Sequence, residues 1–345
     1  MDPYNRKPDD KDEAHSDDSE FQAFAHLDPN SMLNALESAG LQPDGRVTAL
    51  NSYENRVYQV GMEDGPTKVA KFYRPGRWSD DAILEEHAFT LELEALDVPV
   101  VCAENLSGQI LHKHDQFRFA VYPSAGGRPP ELDNPDQLEV IGRSVARLHN
   151  VGELSSFKQR RSLDPVRMGD ESVELLLECD LLPPHVGNVY GGIAKDLMTV
   201  VHERCSILGD CQTLRLHGDF HPGNILWGAD DTPHLLDFDD CINGPAIQDL
   251  WMFISGDREY GNARLADLLE GYTQFREFDP TELALVEPLR ALRQIHHAAW
   301  IARRWKDPAF QMAFPYFAEE RFWDSHVLAL REQRAALDEP VLRWD

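Results

Sequence analysis

Asp219 and Asn224 stand five positions apart in residues 216–227, LHGDFHPGNILW, and Asp237 follows Asn224 by thirteen in HLLDFDD. Polar side chains packed this densely between apolar runs are costly to bury unless each has a partner or a task. Two carboxylates and an amide on neighbouring loops suit phosphoryl transfer from a nucleoside triphosphate. A Mg2+ ion bridging the phosphates takes oxygen ligands of the Asp carboxylate and Asn carbonyl kind, which Asn224 and Asp237 supply. A further carboxylate must orient the attacking hydroxyl and take its proton, and Asp219 fits that role. His217 and His221 offer a competing zinc reading, but Gly218, Pro222 and Gly223 argue against the helix that would place both on one face.

Short β-like runs should anchor these loops. Upstream, VTALNSYENRVYQVGM and TKVAKFYRP, two β-rich runs around a tight turn at EDGP, read as an antiparallel hairpin. SDDAILEEHAFTLELEAL reads as a helix capped by Ser79, and GQILHKHDQFRFAVYPS as two more strands. An earlier helix begins near DPNSMLNALESAG. SAGGRPP, residues 124–130, is the sharpest break in the chain. Beyond it the pattern is mainly helical, with candidates over NPDQLEVIGRSVARLHNVG, YGGIAKDLMTVVHERCSIL, 262–276 and 281–305. The expected organisation is a tail at 1–20, a small β-rich lobe with one main helix at 21–123, a linker at 124–130 and a larger helical lobe at 131–345.

The 345 residues carry 33 Lys and Arg against 60 Asp and Glu, a net charge of -27. Such a chain repels nucleic acid and anionic membranes, so neither is an expected partner. Residues 1–20 are acidic with Tyr4 as their one large apolar side chain, and read as a disordered tail. Five cysteines without a CxxC pair fit reduced thiols in a cytoplasmic protein, expected to act as a monomer. The apolar Trp300, Ile301 and Trp305 fall at core spacing; Arg303 and Arg304 have no assigned role.

HGDFHPGN followed by DFDD resembles the signature of the kinase-like phosphotransferases, the group that holds aminoglycoside phosphotransferases and choline kinases. LNSYENRVYQV, KFYRPGRW, ILEEH, FAVYPSAGGR, NGPAIQDLWM, VEPLRALR and RRWKDPAF extend the similarity, over about residues 30–310, to its bacterial stress-response serine/threonine protein kinases. The resemblance implies a bilobal α+β protein kinase-like fold using ATP and Mg2+ on a protein hydroxyl. The alternative acceptor is a small molecule of the aminoglycoside, choline or homoserine kind. It also implies that Lys71, on its strand, pairs with the α/β-phosphates and with a helix glutamate, Glu85 or Glu86. Glu86 shares a face with Ile83, Phe89 and Leu93 and is the favoured partner. Ser52, in place of a glycine-rich loop, is implied to contact ATP, with Asn55 and Arg56 as weaker candidates, and adenine to meet the backbone around Val121–Pro123. Gly244 follows Asp237 by only seven positions, too few for a long activation loop. Asp249 should accept amide hydrogen bonds from the catalytic loop.

Overall fold

The computed structural model describes residues 23–229, 231–254 and 256–344. The tail expected at 1–20 lies outside them. The first lobe is an antiparallel sheet of β1 (Pro43–Ala49), β2 (Arg56–Met62), β3 (Lys68–Tyr73), β4 (His112–His114) and β5 (Phe117–Pro123), in the order β1-β2-β3-β5-β4. The run read as one β-rich stretch from Val47 to Met62 is thus two strands, β1 and β2, joined by the loop 50–55. Helix α1 (Pro29–Ser38) starts where Asp28 accepts the Ser31 amide at 2.7 Å. Its Met32 and Leu36 pack with Val60, Phe72 and Phe119 from the sheet.

Helix α2 (Asp80–Ala95) is capped by Ser79, whose hydroxyl accepts the Ala82 amide at 3.1 Å. Ile83 packs with Tyr73 and Ala120 of the first lobe, while Phe89 and Leu93 enter the core of the second. Burying a Phe or Leu fully is worth about 1.5–3 kcal/mol, so α2 is anchored from both sides. Beyond α2 the chain touches the second lobe, where Val100 bridges Leu235, and then returns to form β4 and β5.

The second lobe contains α3 (Pro135–Gly152), α4 (Glu171–Glu178), α5 (Pro184–Cys205), α6 (Arg258–Tyr272), α7 (Val286–Arg303), α8 (Pro308–Ala313) and α9 (Glu320–Ala336). Two short ladders carry the polar loops: β6 (Leu214–Leu216) with β9 (Ile242–Gly244), and β7 (Ile225–Trp227) with β8 (Pro233–Leu235). The expected helix at 262–276 starts earlier, because Asp257 caps it through the Tyr260 amide at 2.9 Å. The expected helix at 281–305 opens as a 3-10 turn, Pro280–Leu285, before α7. Helix α9 was not foreseen; its Trp323 and Leu330 are fully buried. All five cysteines are unpaired thiols. Among the described residues no helix is long and apolar enough to cross a membrane.

Candidate active site

The ladder β6–β9 holds the catalytic loop from below. Asp249 accepts the His217 and Gly218 amides, each at 2.8 Å, and its other neighbour is His149 Nε2 at 3.3 Å. Gln248 Nε2 donates to the Gly218 carbonyl at 2.7 Å. Gly218 has φ +84°, and a Cβ there would lie 2.1 Å from the Asp240 carbonyl oxygen, so a side chain at this position would force the two polar loops apart. His217 Nε2 donates to the Leu236 carbonyl at 2.7 Å, and His221 Nδ1 accepts the Gly223 amide at 3.0 Å. The two histidines thus serve separate turns, and no group of three or more His, Cys, Asp or Glu side chains among the described residues makes a metal cage.

Asp219 emerges from this loop with its carboxylate partly exposed. Arg293 of α7 donates to its Oδ1 at 2.5 Å, and His221 Nε2 lies 3.6 Å from Oδ2. Burial pushes the Asp219 carboxyl up, but the Arg293 guanidinium outweighs it and holds the group below the usual carboxylate range. The Asn224 amide nitrogen donates to the Asp219 carbonyl at 2.9 Å, which fixes the amide and leaves Oδ1 as the end available to a cation.

Asp237 has a left-handed backbone, φ 57° and ψ 66°, and a side chain 56% exposed. A non-glycine residue in that region is held there by its surroundings, and such strain gathers at functional sites. Phe238 supplies the anchor, with its ring 4.5 Å from that of His217 and 6.0 Å from that of Phe89 on α2. The loops of Asp237 and Asp219 and helix α2 therefore share one core.

Lys71 enters from β3 and is buried. Its Nζ lies 2.9 Å from Asp237, 3.3 Å from Asp239 and 3.9 Å from Glu86. Burial disfavours its charge, but these three carboxylates more than compensate and hold its pKa well above the usual lysine range. Glu86 is also buried, and Arg160 Nη2 pairs with it at 2.7 Å. Glu85 instead faces outward and accepts the amides of Lys158, Gln159 and Arg160 at 2.6–2.9 Å. The two adjacent glutamates thus divide the work: Glu86 reaches Lys71, and Glu85 ties the segment that carries Arg160 to α2. Burial pushes the Glu86 carboxyl up to about 6, against the pull of Lys71 and Arg160.

Ser52 sits in the loop between β1 and β2, where its hydroxyl donates to the Asn55 carbonyl at 3.2 Å. The loop meets the cleft through Asn55, whose amide donates to Asp239 at 3.1 Å. The carbonyl of Val121 already accepts the Glu104 amide at 2.7 Å, so the part of the connector open to a base begins past it.

Sequence reasoning missed three buried or cleft-lining arginines and an aspartate. Arg77 pairs with Asp239 and with Asp240, the latter at 2.6 Å. Arg160 joins Glu86 to the Asp239 carbonyl, its guanidinium 4.3 Å from the Trp78 ring centre. Arg293 holds Asp219. Arg77 and Asp239 lie within KFYRPGRW and DFDD, so a search for countercharges across those two stretches could have joined them. Arg160 lies in a segment without a motif, and Arg293 closes VEPLRALR, a stretch matched for its similarity but given no role; only folding brings the two to their carboxylates.

The donors suit a nucleotide-bound Mg2+. Such an ion takes one or two protein ligands and fills its remaining positions with phosphate oxygens and water, and Asp237 and Asn224 offer an exposed carboxylate and an oriented amide oxygen beside Lys71.

Comparison with known proteins is consistent with this chemistry. The model of a phosphotransferase enzyme family matches residues 46–286. Stress response kinase A of Escherichia coli (strain K12) is 42% identical over 322 residues, covering 93% of this chain and 96% of that protein. The serine/threonine protein kinase RdoA of Salmonella typhimurium (strain LT2) is 42% identical over 320 residues, with the same coverage of each. Among solved structures, an amicoumacin kinase in complex with AMP-PNP, Ca2+ and Ami superposes with a TM-score of 0.70 at 21% identity, covering 91% of this chain and 95% of that one. A microcompartment-associated aminopropanol kinase gives 0.64 at 20% identity, over 88% and 100%. At such identities these two speak for the fold alone, which is the bilobal kinase-like one expected from the sequence. With its family model spanning most of the folded chain and its relatives above 40% identity, the protein belongs to the phosphotransferase enzyme family and is an ATP-dependent kinase.

Proposed function

We propose that the protein is a Mg2+- and ATP-dependent serine/threonine protein kinase of the cytoplasm, acting in a stress response as the names of its relatives suggest. One observation carries the reading of the site: Asp219 and Asn224 of one loop, Asp237 of the next and Lys71 of β3, three separate segments, converge where the two lobes meet. Asp219 orients the acceptor hydroxyl. As the oxygen attacks the γ-phosphorus, its O–H bond breaks, the proton passes to the Asp219 carboxylate, and the bond to the β–γ bridging oxygen breaks to release ADP. Lys71, steadied by Glu86, holds the α/β-phosphates, and Ser52 in the β1–β2 loop closes over them. Asn224 and Asp237 would hold Mg2+, which would offset the charge of the phosphates.

The Glu86 carboxyl, at about 6, must be ionised to hold Lys71. Activity should therefore fall as pH drops through about 6, whereas Asp219, with its lowered pKa, stays ionised over that range. In a pH profile of kcat/KM for ATP, Glu86→Gln should flatten that acidic limb and lower the plateau. An unaltered limb would remove Glu86 from the nucleotide site.

Labelled ATP offered with a mixture of polypeptide acceptors and with a panel of aminoglycosides and amino alcohols tests the acceptor class. Phosphate on serine or threonine of polypeptide supports the proposal. Phosphate only on the small molecules would make the protein a small-molecule kinase.

A further inference from the structure

The Asp219 carboxylate is already engaged by a countercharge in the structure. Arg293 donates to Oδ1 at 2.5 Å, so at that oxygen the O–H of an acceptor competes with an N–H. Arg293 is itself 42% exposed and reaches Asp219 from α7, outside the nucleotide-binding elements. One face of that helix continues along the cleft at positions 293, 297, 300 and 304. At the far end Trp300 Nε1 and Arg304 Nε donate to Glu54 in the β1–β2 loop, at 2.6 and 3.0 Å. His297, between them, is exposed and lies in the electrostatic field of both Arg293 and Asp219. This face of α7 therefore borders Asp219 at one end and the β1–β2 loop at the other. Within α7 the acidic residue is Glu287, against Arg290, Arg293 and Arg303, a local excess of positive charge in a chain of net charge -27.

We propose that Arg293 selects acidic acceptors: the acceptor hydroxyl displaces the Arg293 N–H from Asp219, and a carboxylate flanking that hydroxyl becomes the new partner of the guanidinium. This deepens the protein-kinase reading and rests on it. The preferred acceptor is a serine or threonine in an acidic peptide segment. A neutral or basic segment leaves a guanidinium in the cleft without its counterion, and a charge-assisted hydrogen bond of this kind governs about a ten- to hundredfold difference in preference.

The test uses full-length protein, Mg2+-ATP and three peptides of equal length, each with a single serine flanked by glutamates, by alanines or by lysines. The wild type should show kcat/KM for the glutamate peptide about ten- to hundredfold above the alanine peptide, and the lysine peptide below both. Arg293→Met should collapse the glutamate-to-alanine ratio towards one, and Arg293→Lys should restore part of it. Arg293→Gln takes the place of the methionine variant should that one not fold. An equal ratio in the wild type, or one unchanged by loss of Arg293, would overturn the inference. So would an equal loss on all three peptides, which would place the guanidinium on the nucleotide instead. Peptides labelled without an acidic preference defeat this inference and leave the protein-kinase reading standing. Label on small molecules and on none of the peptides defeats both.

Discussion

Asp219→Asn should lower turnover by about 10²- to 10⁴-fold, the range for a positioned general base, while ATP binds nearly as before. The asparagine keeps the size of the side chain and still accepts from Arg293, whose Nη1 lies 2.5 Å from Oδ1. What it loses is the capacity to take the hydroxyl proton. Its loop is held by Asp249 through the His217 and Gly218 amides, not by Asp219 itself, so the fold should be preserved. The measurement is single-turnover phosphoryl transfer beside equilibrium titration with a non-hydrolysable ATP analogue. A variant that transfers at the normal rate would remove Asp219 from the chemistry, and one that binds the analogue far more weakly would make its role structural.

Lys71→Met should damage both function and stability. Lys71 is buried and lies within 4 Å of Asp237, Asp239 and Glu86. Breaking a buried ion pair from one side costs about 3–5 kcal/mol because the remaining charge is left without compensation. Here the loss should be nearer 2–3 kcal/mol, since Glu86 retains Arg160 at 2.7 Å and Asp239 retains Arg77. The ATP affinity should fall by at least tenfold with the loss of one charge-assisted contact to phosphate. Denaturant unfolding reads the first effect and calorimetric titration the second. Wild-type stability would mean that the carboxylates are satisfied without lysine, and unaltered ATP affinity would mean that the phosphates lie elsewhere.

The two variants also separate what is local in this site from what is not. Asp219 and Asn224 lie on one loop, so their relation follows from five positions of chain and is legible in HGDFHPGN. The Asn224 amide reaches the Asp219 carbonyl across that same loop. Asp237 comes from the next loop, joined to the first by the β7–β8 ladder, and is nearly as local. Glu86 is favoured over Glu85 because it shares a helix face with the apolar Ile83, Phe89 and Leu93. Adjacent helical residues are only about 100° apart, however, so the sequence leaves both in play. Most strands and helices followed from the same periodicities, but their ends did not, and neither did the existence of α4, α8 and α9. Helix α6 begins at a cap, Asp257, upstream of its apolar pattern, and α9 carries its core residues in a segment crowded with charge.

The primary sequence determined the kind of chemistry, because metal-binding and proton-accepting groups must be oxygen-bearing side chains at short range, and these lie close together along the chain. Tertiary structure decided how those charges are balanced. Lys71 meets Asp237 across 166 positions and Arg293 meets Asp219 across 74. Arg77 meets Asp239 across 162. A countercharge needs only to be near in space, and in a compact fold neighbours come from any part of the chain. Arginine bears no mark in the sequence of which carboxylate it will face, so the partners that tune the base and the lysine emerged only when the chain folded, Arg293 within the second lobe and Lys71 across the two.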